Sequence, residues 1–335
     1  MPSYMLTRHQ FERADGAIMG HNSPITGRVA VISSKAIGDS LLLMTVAHNL
    51  QLNGATVTVF GRHIHALRKW FPGIEVRPPL EPATAQTALA DFSLVLALHP
   101  TLDLAGTHPR VVLLDHLCRS GSQEPMARRL SDFCRDELSL PVTQNINGLT
   151  APADLQHRKH ASRVIIHPTA STADKCWLKS RYVNLARRLR RNGFDPYFVV
   201  APEERAGWLD VVREGLNVPA FDTLEDVAAS VYESGWFIGN DSGIGHLASN
   251  LDIPTLSLFM RRGIARTWRP GWGGGQILIG SSFIPGARLK ERFWKYALTV
   301  GRVERAFARL RLATAQVSTQ AAPAVAAPAF VRETV

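Results

Sequence analysis

The chain has 335 residues, 45% of them hydrophobic and 20% charged, and its 38 Lys and Arg against 28 Asp and Glu give a formal charge of +10. That length suits two domains rather than one core, the composition excludes a disordered polymer, and no apolar run approaches the ~18 residues needed to span a bilayer. Positive charge favours acidic partners, but the basic residues are scattered over "ARRLRRNG", "MRRGIARTWR" and "ARLKERFWK". No nucleic-acid motif interleaves them, so most belong on solvated faces and no nucleic acid is expected as a partner.

Residues 1–27 form a peripheral extension whose charges leave no apolar core for a secretory signal, so a cytoplasmic protein is expected. Cys118, Cys134 and Cys176 are too widely spaced for a disulfide framework or a CxxC metal site and read as reduced structural thiols. "RVAVISS" at 28–34 is the first predicted strand. Gly38 makes a turn, a helical pattern runs from Ser40 to Leu52, and Asn53-Gly54 ends it before the strand "ATVTVF". "IEVRP" (74–78), "FSLVLAL" (92–98) and "RVVLLD" (110–115) continue as strands, and "EPMARRLSDFCRDEL" as a helix. This strand–helix rhythm builds a doubly wound parallel sheet.

A stretch rich in turn formers, 139–163, precedes a second run of the same rhythm, which sets domains at 28–155 and 156–286. Its predicted elements are the strand "RVIIHP", a helix over 180–192 closed by Asn192-Gly193, the strand "PYFVVA", and helices from Glu203 and over "LEDVAASVYES". The strand "GWFIGN", a helix over 243–250 and the strand "TLSLF" follow, and "GWGGG" at 271–275 reads as a flexible loop. A basic amphipathic helical stretch covers 287–313, and the Ala/Pro-rich tail 314–335 is expected to be disordered.

In open parallel sheets, ligands bind beyond the carboxyl ends of the strands, where helix N-termini present free N–H groups. Three such junctions are unusually polar. In "SSKAIGDSLLL" (33–43), Asp39 is either an N-cap or a carboxylate able to take a proton. In "IIHPTASTADKCWLKSRY" (165–182), the hydroxyls of Thr169, Ser171 and Thr172 and the charge of Lys175 suit a diphosphate, or else make a polar surface loop. In "NDSGIGH" (240–246), small residues and a hydroxyl stand at a helix mouth, with His246 about one turn in. A P-loop, a GxGxxG signature and HExxH, CxxC or EF-hand patterns are all missing from the sequence, so no metal site is expected.

"VAVISSKAIGDSLLLMTVAHNL", "HPTASTADKCWLKSRYVNLARRL" and "WFIGNDSGIGHLASNLDIPTLSLF", in this order, resemble the glycosyltransferase family 9 heptosyltransferases of lipopolysaccharide inner-core synthesis over roughly 28–310. The resemblance implies an α/β GT-B fold: two Rossmann-like doubly wound domains facing across a cleft, with the helix at 287–313 crossing back to the first. It implies inverting, metal-independent transfer of heptose from ADP-heptose, a substrate rather than a cofactor, to an acidic glycolipid acceptor. The basic charge leaves room for peripheral contact with the inner membrane.

Carried onto this sequence, the resemblance makes Asp39, after Gly38, the general base and places Lys35 near an acidic acceptor. Ser171, Thr172 and Lys175 would hold the donor diphosphate, in a loop that is one residue short. Glu204, preferred over Glu203, would hold the ribose, and Asp241, Ser242, Gly243 and His246 would form the donor motif where the departing ADP is stabilised. After "LSLF" the chain departs from many relatives with "MRRGIARTWRPGW". Two further readings keep the fold: a transferase using another nucleotide sugar or a non-lipopolysaccharide acceptor, and a catalytically idle binding protein.

Overall fold

The computed structural model describes residue 25 and residues 27–99, 104–119, 122–280 and 286–321. The chain divides into two compact units between Pro152 and Ala153. The extension up to residue 24 and the tail from residue 322 lie outside the described residues.

In the first unit, strands β1 (Arg28–Ile32), β2 (Thr56–Phe60), β3 (Glu75–Arg77), β4 (Leu94–Ala97) and β5 (Val111–Leu113) form a sheet in the order β3-β2-β1-β4-β5. All its pairings are parallel. Helix α1 (Ile37–Leu52) follows β1 and α2 (Met126–Asp136) packs on it. The run "LLLMTV" is apolar on every side because α1 is buried on every side, with Leu41, Leu42, Leu43, Met44 and Val46 all at 1% exposure or less. Polar groups are bonded in place too: Asn49 Nδ2 donates to the Gln144 carbonyl at 2.9 Å, and from the segment after α2 Asn147 Nδ2 donates to the Leu41 carbonyl at 3.0 Å. Past its end, Gly54 takes φ 86°, a left-handed turn that glycine adopts without steric cost.

The second unit repeats the plan. Strands β6 (His160–His167), β7 (Asp195–Phe198), β8 (Ser234–Asn240), β9 (Thr255–Phe259) and β10 (Gly275–Ile279) order as β10-β9-β8-β6-β7, again parallel. Helices α3 (Lys179–Arg191), α4 (Leu224–Tyr232), α5 (Gly243–Asn250) and α6 (Arg262–Trp268) connect or follow them. Every residue of β8 is buried, as an apolar central strand requires.

Four local expectations change. "GWGGG" does not stay a loop: its last glycine opens β10, which pairs with β9 along its whole length. No α-helix starts at Glu203; a 3-10 turn over Arg205–Trp208 leads into a short helix over Leu209–Arg213. The basic stretch is two helices, α7 (Ala287–Ala297) and α8 (Val300–Ala321), broken at Leu298 and Thr299. Helix α8 also runs past residue 313, through "ATAQVSTQA", because nothing before Pro323 forbids helix. Trp294, Leu298, Val303, Phe307 and Leu310 of these segments join the core of the second unit beside Val164, Ile166 and Trp236.

Each sheet changes direction once. From β1 the chain builds outward through β2 and β3, then returns to lay β4 against the other side of β1. From β6 it goes to β7, then returns to lay β8 on the other side of β6. The loops leaving β1 and β4, and those leaving β6 and β8, therefore part to opposite faces and open a crevice at each carboxyl edge.

Candidate functional site

In the second unit, the crevice between β6 and β8 brings together the second and third polar junctions. Lys175 Nζ, on the loop after β6, lies 3.0 Å from Asp241 Oδ2, on the turn after β8. Asp241 is the more enclosed partner, its side chain 10% exposed against 30% for Lys175. Ser242 caps α5, its Oγ accepting from the Gly245 N–H at 3.4 Å. Ser242 and Gly243 remain half-buried at the helix mouth. An anion there would meet free backbone donors, the positive end of the helix dipole and the Lys175 ammonium. His246, one turn further into α5, is 4% exposed and its ring meets Trp272 edge-on at 6.3 Å.

Ser171 and Thr172 are exposed on the same loop as Lys175. Thr172 is already engaged: its hydrogen bond is the chief reason the neighbouring Asp174 carboxyl sits below the usual carboxylate range. Helix α7 fastens the loop from behind, with Trp294 Nε1 donating to the Asp174 carbonyl at 2.8 Å and Lys295 Nζ to the Ala173 carbonyl at 3.3 Å. Beyond β7, Glu204 turns back so that its Oε2 accepts the Ala201 N–H at 3.0 Å, while Glu203 is exposed. Buried His167, at the end of β6, donates from Nδ1 to the Val199 carbonyl at 2.8 Å; burial lowers its pKa, partly offset by that bond and the Glu204 charge.

The residue organising this crevice was not among those singled out from the sequence. Asn240, the last residue of β8, is 0% exposed. Its Oδ1 accepts from the Trp177 N–H at 3.1 Å and the Tyr182 hydroxyl at 2.8 Å, and its Nδ2 donates to the Pro168 carbonyl at 2.7 Å. One amide thus grips both ends of the loop that carries Ser171, Thr172 and Lys175.

The first unit has a corresponding crevice between β1 and β4. Asp39 is not the N-cap of α1: Ala36 occupies that position, and Asp39 is the third helical residue. Its Oδ2 accepts from Ser34 Oγ at 3.3 Å and lies 3.5 Å from His99 Nε2. The Asp39 side chain is 22% exposed, open enough for a substrate to reach. His99 follows β4, and its pKa is raised, first by the hydrogen bond to Asp39 and against the opposing effect of burial. The Lys35 side chain is exposed, and its carbonyl accepts from His63 Nε2 at 3.0 Å.

The cysteines are all free. Burial pushes Cys134 up to about 12 and Cys118 up to about 11. Among the described residues, no three His, Cys, Asp or Glu side chains assemble in a way that could hold a metal ion, and no helix is long and apolar enough to cross a membrane. A cavity of about 410 Å³ beside Phe92, His108 and Arg110 opens at the amino ends of β4 and β5, the opposite edge of the sheet from Asp39.

Comparison with known proteins bears on these crevices. The sequence model of glycosyltransferase family 9 (heptosyltransferase) matches residues 125–290. Lipopolysaccharide heptosyltransferase 1 of Pseudomonas aeruginosa is 32% identical over 123 residues, which is 36% of this chain and 34% of that protein. The match therefore spans about a third of that curated relative's length. The solved ADP-heptose lipopolysaccharide heptosyltransferase II of Escherichia coli superposes with a TM-score of 0.65 at 16% identity, covering 86% of this chain and 99% of that one. An E. coli heptosyltransferase solved with ADP gives a TM-score of 0.63 at 16% identity, over 84% and 99%. These likenesses establish two Rossmann-like units of the GT-B kind.

Proposed function

Because the chain belongs to glycosyltransferase family 9, we propose that it transfers heptose from ADP-heptose to a hydroxyl of the lipopolysaccharide core or a related acceptor, with inversion at the anomeric carbon. The observation that carries this reading is the half-exposed mouth of α5 with Lys175 held beside it by Asp241. As the bond from the anomeric carbon to the diphosphate breaks, charge accumulates on ADP. The backbone donors at Ser242 and Gly243, the Lys175 ammonium and the hydroxyls of Ser171 and Thr172 would meet that charge in fixed positions. Glu204 would accept from a ribose hydroxyl. Asp39 would take the proton of the acceptor hydroxyl as its oxygen bonds to the anomeric carbon.

The acceptor is then an acidic glycolipid. Helix α7 exposes Leu289, Phe293 and Tyr296, at 47%, 42% and 57%, at helical spacing beside the exposed Arg292. That combination suits peripheral contact with an anionic membrane surface. Cosedimentation with anionic but not neutral vesicles tests that contact.

Thermal-shift measurements against ADP, UDP, GDP and CMP test the donor: only a ligand that prefers the folded state raises its stability. ADP is expected to give the largest shift, and a larger response to UDP would replace the donor assignment. Asp39→Asn is expected to abolish transfer while leaving the ADP shift intact; normal turnover by this variant would remove Asp39 from the chemistry.

A further inference from the structure

The sequence offers no reason to notice His99, yet the fold sets it against the candidate base across the switch point of the first sheet. Strands β1 and β4 are parallel neighbours, with Ile32 opposite Ala97. The first polar side chain past β4 therefore reaches the helix that follows β1. His99 and Ser34 both engage Oδ2 of Asp39, at 3.5 and 3.3 Å. Among the described residues, Oδ1 has no hydrogen-bond partner, which leaves it for an incoming hydroxyl.

Resting on the assignment of Asp39 as the base, we infer that His99 is a positioning residue that fixes this carboxylate and whose protonation sets its basicity. A neutral imidazole with its proton on Nε2 donates to Oδ2 and holds Oδ1 toward the acceptor. An imidazolium holds the same geometry but stabilises the carboxylate anion, so the base takes a proton less readily. Transfer should then rise as pH passes upward through the titration of His99.

The surroundings assign that step to His99. Besides Asp39 on α1, it feels Asp115 beyond β5, whose Oδ2 is bonded to Arg119 at 2.8 Å. The hydrogen bond to Asp39 first, and then the Asp39 and Asp115 charges, raise the pKa of His99 above the ordinary 6.5 against the opposing effect of burial. His63, at the neighbouring strand end, is shifted to the other side of 6.5 by burial. The Cys118 thiol in the same surroundings is pushed up to about 11, outside the window. The buried Arg129 guanidinium is spent on the carbonyls of Leu117, Ser122 and Glu124.

The test has two arms. In the first, imidazole resonances of the full-length protein are followed by NMR against pH, in wild type and Asp39→Asn. The His99 titration is expected to move down in the variant, and an unmoved titration overturns the pairing without reference to any substrate. In the second, ADP release from ADP-heptose with heptose-deficient lipopolysaccharide is measured from pH 5.5 to 9.

Wild type is expected to gain about three- to tenfold in kcat/KM across the step. His99→Gln, which keeps an amide donor but cannot charge, should lose the step and keep the high-pH rate. His99→Ala should lose rate at every pH. If Asp39→Asn is inactive but His99→Gln retains the wild-type step, the role of His99 is refuted alone. If Asp39→Asn transfers normally, the base assignment fails and this inference falls with it.

Discussion

Replacing Asn240 with alanine should damage the second unit more than any other single polar truncation near its crevice. Asn240 is fully buried and makes three side-chain hydrogen bonds, to the Trp177 N–H, the Tyr182 hydroxyl and the Pro168 carbonyl. Alanine strands two donors and one acceptor where water does not reach. Each buried polar group left unmade costs about 1–3 kcal/mol; allowing for relaxation, the sum is about 3–6 kcal/mol, a large share of the ~5–15 kcal/mol that holds a typical domain folded. Tyr182→Phe removes only one donor and leaves Oδ1 bonded to the Trp177 N–H, so it should cost about 1 kcal/mol. The double variant should cost less than the sum of the singles, because the hydroxyl that Asn240→Ala strands is then gone. Urea unfolding followed by tryptophan emission measures this, since Trp177, Trp208, Trp236, Trp268, Trp272 and Trp294 lie in the second unit and only Trp70 in the first. An Asn240→Ala variant within about 1 kcal/mol of wild type, or strict additivity with Tyr182→Phe, would refute the reasoning.

Lys175→Met should weaken ADP binding about 10- to 100-fold by titration calorimetry at fixed salt, the worth of one charge-assisted contact, whereas Lys175→Arg should retain most of it. His167 is held neutral by burial, with a folded pKa below the ordinary 6.5. Its contribution to stability is therefore complete above pH 6.5 and is lost as pH falls through the folded value; His167→Gln should flatten that part of the acid-unfolding curve. Gly193 has φ 81° and open space where a Cβ would go. Gly193→Ala should then cost about 1 kcal/mol from backbone strain alone, seen as a lower unfolding temperature with unchanged ADP binding.

The parts of the fold legible in the sequence are those set by near neighbours. Asn53-Gly54 and Asn192-Gly193 end α1 and α3 because left-handed glycines end helices locally, and α5 and β9 fall on their predicted bounds. Strand β10 was hidden by the glycines that lead into it: "QILI" is too short a run to declare itself without β9 alongside. The break between α7 and α8 is equally non-local, since Trp177 Nε1 and Arg181 both donate to the Leu298 carbonyl and take it out of the helical ladder. The same division applies to the site. Asp39, Lys175, Asp241 and Ser242 stand out by residue type at strand ends. Asn240 and His99 matter only through residues far along the chain, and a buried asparagine or a histidine after an apolar run carries no mark of its own. Two neighbours in the sequence of Asp241 thus have opposite histories: Ser242 was visible as a hydroxyl at a helix mouth, Asn240 only as the end of a strand.

Both crevices set a carboxylate at the start of a helix and a nitrogen cation, or potential cation, on the neighbouring loop. Asp39 is in the first turn of α1 with His99 beside it; Asp241 precedes the cap of α5 with Lys175 beside it. Both carboxylates stand at a helix N-terminus, so the difference between the crevices lies in the partner. A lysine carries its charge throughout the neutral range and offers a ligand a constant field. Imidazole gains and loses its charge within that range. On the proposed reading, the second unit would hold an anion whose charge does not change and the first would respond to a proton, the division of labour that moving a sugar from a diphosphate to a hydroxyl requires. Exchanging the partners makes the point testable: His99→Lys should leave ADP binding unaltered while holding transfer at its low-pH rate across the whole range, and a normal high-pH rate in that variant would show that the charge beside Asp39 is immaterial.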